Sequence, residues 1–78
     1  MKILINAREK DFNEKTIGYD QVVKLAFPDS DLSKYLMTVT YVYKAPFHIR
    51  YAATLAPNDP KIEVIEGMRF NATMTWNG

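Results

Sequence analysis

The chain has 78 residues, 47% of them hydrophobic, with ten Lys/Arg against nine Asp/Glu for a net charge of +1, and no cysteine. That length makes one small domain, which buries only about 60% of its unfolded surface and needs its apolar side chains for a core. The missing cysteines exclude a disulfide framework, a thiol nucleophile and a thiolate metal site. The near-neutral charge predicts no strong pull toward nucleic acid or anionic membrane.

The N-terminus, Met1-Lys2-Ile3-Leu4-Ile5-Asn6, starts like a signal peptide but turns polar at once. No apolar run approaches the roughly 20 residues of a membrane span. These features predict a soluble, cytoplasmic protein. From Lys2 to Ala7 the chain reads as a first strand, and the four consecutive charges Arg8-Glu9-Lys10-Asp11 as a solvated turn. A second strand is expected from about Phe12 to Ile17. These two residues have opposite parity, so a bulge or a late start is implied.

Gly18-Tyr19-Asp20-Gln21 opens a helix to about Phe27, with Asp20 favoured by the dipole of its first turn. Tyr19, Val22, Val23, Ala26 and Phe27 give one buried stripe at helical spacing. Pro28 ends it. Met37 to Lys44 is the clearest strand, β-branched or aromatic almost throughout. Phe47 to Leu55 reads as an irregular strand and turn, and Ala56 to Pro60 as a loop. Ile62 and Val64 suggest a short strand. Finally Met68, Phe70, Ala72, Met74 and Trp76 alternate with Arg69, Asn71, Thr73 and Thr75, a strand with one buried and one polar face.

The order ββαβ(β)β predicts an α+β fold of the ubiquitin-like β-grasp type: one helix on a mixed sheet of four to five strands, in a single domain over 1–78. Ile3, Ile5, Val23, Phe27, Phe70 and Ala72 would form the contact between them. A ferredoxin-like fold is the alternative, but it requires a second helix.

Particular stretches then resemble the bacterial multiubiquitin family: Ile3 to Lys10, Thr16 to Pro28, Thr38 to Tyr41, and Val64 to Thr73 with its Glu66-Gly67-Met68-Arg69-Phe70-Asn71 run. The resemblance covers most of the chain. It implies a protein modifier joined to targets by an isopeptide bond. It also implies the partners encoded alongside such proteins, in operons associated with antiviral defence against phage: an activating enzyme, a conjugating enzyme, a deconjugating metalloprotease and a target protein. The conjugated residue would be Gly78, whose lack of a Cβ suits a narrow enzyme channel, with residues 75–78 as a tail. Two features depart from the family's pattern. Lys44 to Tyr51 is aromatic and basic where a glycine-rich loop is expected, and the chain ends Thr75-Trp76-Asn77-Gly78 where family repeats often end in a short charged stretch without glycine. The Gly-Gly pair of ubiquitin is not present.

Parity puts Lys2, Leu4, Asn6, Arg69, Asn71, Thr73 and Thr75 on the outer face of the sheet. That face is mainly polar, with Leu4 and Val42 its apolar content. Leu4, Arg69, Asn71 and Thr73 are the candidate partner-binding residues there. Trp76, a residue type that dominates interface hot spots, is a further candidate.

No set of residues reads as catalytic, metal-binding or cofactor-binding. His48 is the only histidine and has no carboxylate at a ligand spacing, and Glu63 and Glu66 read as a solvated pair. Lys44, His48, Arg50 and Tyr51 mix basic and aromatic groups as single-strand binders do, though a packed loop accounts for them better. The seven lysines are equally acceptors for chain linkage and ordinary solubilising charges. The rival to the modifier is a non-covalent β-grasp module, or a subunit that self-associates through exposed strand edges. A mobile tail favours the modifier, and a tail held in the sheet favours the rival.

Overall fold

A computed structural model describes residues 1–29, 35–44 and 50–76, with the backbone alone for Tyr35 and Trp76. Eight elements follow in chain order: β1 (Lys2–Ile5), β2 (Arg8–Asp11), β3 (Thr16–Ile17), α1 (Tyr19–Ala26), β4 (Tyr35–Lys44), β5 (Arg50–Leu55), β6 (Ile62–Glu63) and β7 (Arg69–Trp76). Five of the strands form a sheet in the order β2-β1-β7-β4-β5. The β1–β7 pair is parallel and the other pairs are antiparallel, so the sheet is mixed. β3 and β6 form a separate two-stranded ladder. With one helix among the described residues, this is the α+β ubiquitin-like β-grasp arrangement expected.

The first hairpin corrects the reading of its charged run. Ile5 is registered with Arg8, so the turn consists of Asn6 and Ala7 alone. Both have positive φ, 50° and 68°, as a type I′ turn demands and as strand twist favours. The chain therefore reverses before the charges, and Arg8–Asp11 is a strand. Lying at the sheet edge, it needs no apolar alternation, and its charges discourage another chain from pairing there. The Asn6 side chain extends β1 by one step: its Oδ1 accepts the Ala72 N–H at 2.8 Å and its Nδ2 donates to the Ala72 carbonyl at 3.2 Å.

The expected strand from Phe12 to Ile17 is likewise divided. Phe12 closes the hairpin by exchanging backbone hydrogen bonds with Met1, while Thr16–Ile17 pairs with Ile62–Glu63. Phe12 and Ile17 both reach the core because they belong to different elements. Their conflicting parity requires no bulge.

The helix starts and ends close to where its sequence predicts. The Gln21 carboxamide accepts the Gly18 N–H at 2.9 Å and satisfies a polar group at the helix entrance. Phe27 caps the other end, its N–H donating to the Val23 carbonyl. Val22 and Val23 are buried, whereas Ala26 and Phe27 are half-buried. Phe27 thus lies at the rim of the core, and not at its centre as expected. Tyr19 packs beside them and donates its hydroxyl to the Met37 carbonyl at 3.4 Å. Burial, with Asp20 adjacent, raises its pKa above the ordinary tyrosine value.

The core lies between α1 and the inner face of the sheet. It comprises Ile3 and Ile5 of β1, Ile17 of β3, Val39 of β4, Leu55 of β5, Phe70 and Ala72 of β7, Val22 and Val23 of α1, and Phe12, Val64 and Met68 from the connections. Phe70 is the largest fully enclosed side chain, 1% exposed. Beyond it the inner face continues as an aromatic series. Tyr41 stacks with Tyr43 (6.2 Å between centroids) and Tyr43 with Tyr51 (5.3 Å), running from the core toward solvent.

Leu55, paired with Val39, anchors β5. Arg50–Leu55 is a regular strand, where an irregular strand and turn was expected from Phe47 to Leu55; residues 47–49 of that stretch lie outside the described residues. Arg50, Ala52 and Ala53 give it little apolar alternation of its own, and the long, strongly β-prone β4 supplies the ladder that holds it.

Candidate functional site

The parity expected for the outer face holds. Leu4 is registered with Arg69, Arg69 with Val42, and Val42 with Ala52. The next row joins Asn71, Thr40 and Thr54, and those after it pair Thr73 with Thr38 and Thr75 with Leu36. Leu4, Arg69, Asn71 and Thr73 therefore share one surface. Its chemistry along β7 is uncharged and polar from Asn71 onward, with Leu4 and Val42 half-buried beside Arg69. Leu36, at 57% exposure, adds an apolar side chain at the far end that strand parity had not brought forward.

The Trp76 backbone is the last of β7, registered with Tyr35, on the opposite parity. Thr75 and Trp76, from which a mobile tail was expected, are both registered with β4. Two extended residues past Trp76 reach about 7 Å. Gly78 and His48 lie outside the described residues.

A second feature sits at the opposite end of the outer face. The chain approaching β7 turns over Ile65 to Met68, with the Met68 N–H donating to the Ile65 carbonyl at 3.0 Å. Gly67, at φ +82°, supplies the positive φ that the third position of a type II turn requires. Just before β7 this turn is tied to β1. The Gly67 N–H donates to the Lys2 carbonyl at 2.8 Å, the Leu4 N–H to the Met68 carbonyl at 2.8 Å, and the Glu66 carboxylate accepts the Lys2 N–H at 2.8 Å. The chain thereby swings away from β4. The last residue of β4 registered with β7 is Val42, and Tyr43 and Lys44 run on past it, paired on their other side with Tyr51 and Arg50.

The gap so formed is an open cleft of about 440 Å³ lined by Val42, Tyr43, Lys44, Arg50, Glu66, Gly67 and Arg69. Three cations converge on it. Lys44 and Arg50 are directly opposed in the β4–β5 ladder, a like-charge juxtaposition that costs stability. Arg69 stands opposite Val42, on the same face as Lys44 and one alternate residue back along β4. The one acid in the lining, Glu66, already accepts a backbone N–H. Among the described residues the only ion pair is Lys2 with Glu9 at 3.9 Å, outside the cleft.

Lys44, Arg50 and Tyr51 had been grouped as a possible mixture of basic and aromatic groups. The ladder separates them, placing Lys44 and Arg50 on the outer face and Tyr43 and Tyr51 on the inner. Arg69 and Glu66, assigned elsewhere from sequence, are the residues that complete the cleft. Only the matching parity of Lys44 and Arg69 across strands hinted at it. Among the described residues no group of His, Asp and Glu is placed to hold a metal ion, and no helix is long and apolar enough to cross a membrane.

Comparison with curated proteins and with solved structures returns no match. A family model described as Multiubiquitin matches residues 1–75, which span β1 through almost all of β7. The chain belongs to the Multiubiquitin family, as a ubiquitin-like domain.

Proposed function

We propose that this chain is a ubiquitin-like protein modifier. In this reading Gly78 is adenylated by a partner activating enzyme, passed as a thioester to cysteines of that enzyme and of a conjugating enzyme, and joined to an amine of a target protein. A partner metalloprotease reverses the attachment, and the whole system works in the cytoplasm, in antiviral defence. The chemistry belongs to the partners, since the chain has no cysteine to carry the thioester itself.

The observation that carries this reading is the family match over residues 1–75, on a sheet whose C-terminal strand is central. β7 is flanked by β1 and β4, so a tail leaving it is anchored in a strand held on both sides, and a pull on the tail does not strip an edge. Incubation with the cognate activating enzyme and ATP, followed by a non-reducing gel, tests the reading. A thioester band is expected from the intact chain and none after deletion of Gly78. An unchanged band from the deleted chain would defeat the assignment of Gly78.

The pairing of Trp76 with Tyr35 favours a second reading, a non-covalent β-grasp module recognised through its sheet. For the modifier, the end of β7 must peel from β4 so that Gly78 can enter an enzyme channel. Amide hydrogen exchange at Thr73, Thr75 and Trp76 separates the two. Fast exchange in the free protein supports the modifier, and protection equal to that of Phe70 supports the module.

A further inference from the structure

We infer that the cleft between the projecting end of β4 and the Glu66–Gly67 turn is a docking site for an acidic, extended segment of a protein partner. The charge argument comes first. Lys44, Arg50 and Arg69 face one opening against the single carboxylate of Glu66, and that carboxylate accepts the Lys2 N–H. Holding Lys44 opposite Arg50 is unfavourable in the free protein, and an incoming carboxylate converts that repulsion into attraction.

The backbone argument fixes the shape of the occupant. β7 begins at Arg69, registered with Val42, so among the described residues no strand neighbours Tyr43 and Lys44 on the cleft side. An extended chain laid there can hydrogen-bond to that edge as an added strand. Alternate side chains of such a chain point to the same face, about 7 Å apart. That spacing matches the step along β4 from Val42, beside which Arg69 stands, to Lys44. An acid-x-acid segment therefore places one carboxylate near Arg69 and the next between Lys44 and Arg50.

Single-stranded nucleic acid is the competing occupant, and the geometry disfavours it. Base stacking needs aromatic faces beside the cations. Here Tyr43 and Tyr51 lie on the opposite face of the strands and stack on each other at 5.3 Å. The inference stands apart from the modifier reading, since the cleft lies where β7 begins, at Arg69 beside Val42, and not at its Trp76 end beside Tyr35.

The test uses the whole chain with a fluorescein-labelled synthetic peptide of alternating Glu and Ser, titrated at low salt and at 1 M salt. Amide shifts are mapped by NMR in the same titration. Saturable binding is expected at low salt, with shifts at Lys44, Arg50, Gly67 and Arg69. It should be lost at 1 M salt, where the screening length falls to about 3 Å. Lys44→Glu and Arg69→Glu should each weaken binding about tenfold. Lys24→Glu, on the exposed side of α1, should have little effect. Thermal melts confirm that each variant is folded, and Lys44→Gln replaces any reversal that is not. Absence of saturable binding would overturn the inference. So would equal weakening by Lys24→Glu, or tighter binding of an oligothymidylate at the same amides.

Discussion

The two faces of the five-stranded sheet are made by the same strands and have opposite characters. On the inner face Ile3, Ile5, Val39, Phe70 and Ala72 are enclosed against α1. One residue away along each strand, Leu4, Thr38, Thr40, Asn71 and Thr73 look outward, the first and third half-buried and the others exposed. Alternation by a single residue thus separates the groups that hold the fold together from those a partner can touch. The inner face tolerates little change, because close packing makes even a small loss of volume felt. The outer face is held in place by the inner one, so its residues can be chosen for recognition. It has even accepted an unfavourable pair in Lys44 and Arg50.

The sharpest way to break the comparison is Phe70→Ala. Loss of its burial together with the cavity left behind should cost about 3–5 kcal/mol, close to the whole stability of a domain this size. A thermal melt within a degree of the parent would show that the inner face is not the core. Thr73→Ala, three residues on and pointing outward, should move stability by no more than about 0.5 kcal/mol.

Asn6 ties the two sides at the end of β1 and should come next. Asn6→Ala removes both hydrogen bonds to Ala72 and puts a less tolerant residue at φ 50°. The expected loss is about 1–3 kcal/mol, read from urea unfolding. Its neighbour offers the reverse test. Ala7, at φ 68°, occupies a turn position that glycine fills without strain, so Ala7→Gly should stabilise by up to about 1 kcal/mol. An unchanged or lower midpoint would contradict the type I′ assignment.

At the cleft, Lys44→Glu should stabilise the isolated protein by about 0.2–1 kcal/mol, replacing a repulsive cross-strand pair with an attractive one. A variant that gains stability while losing the acidic peptide would show that the outer face gives up stability for recognition. The smallest effect concerns Tyr19 on the inner side. Burial raises its pKa, with Asp20 adding to the shift, so folding favours the neutral phenol. Its contribution is complete below the unfolded tyrosine value and is lost as pH rises through the higher folded value. Above about pH 10 the parent should therefore lose stability faster than Tyr19→Phe, as read from melts across that range.

Residues whose alternation is strong were legible without the fold. The buried Met68, Phe70 and Ala72 against the exposed Arg69, Asn71 and Thr73 follow from period two alone. The same pattern correctly grouped Leu4, Arg69, Asn71 and Thr73. The edge strands were not legible. Arg8–Asp11 looks like a turn and Arg50–Leu55 like an irregular segment, because an edge strand is half solvated and its pairing partner, not its own composition, makes it a strand.

The sequence by itself determined the helix, the long β4, the alternation of β7 and the β-grasp order, each of which rests on local preference and on periodicity within one segment. Only the tertiary structure decided that the chain reverses at Asn6–Ala7, that β7 stays paired to Trp76, and that Lys44, Arg50 and Arg69 share a cleft. Those outcomes depend on strand register, and register is set by which residues meet across a sheet once the core has closed.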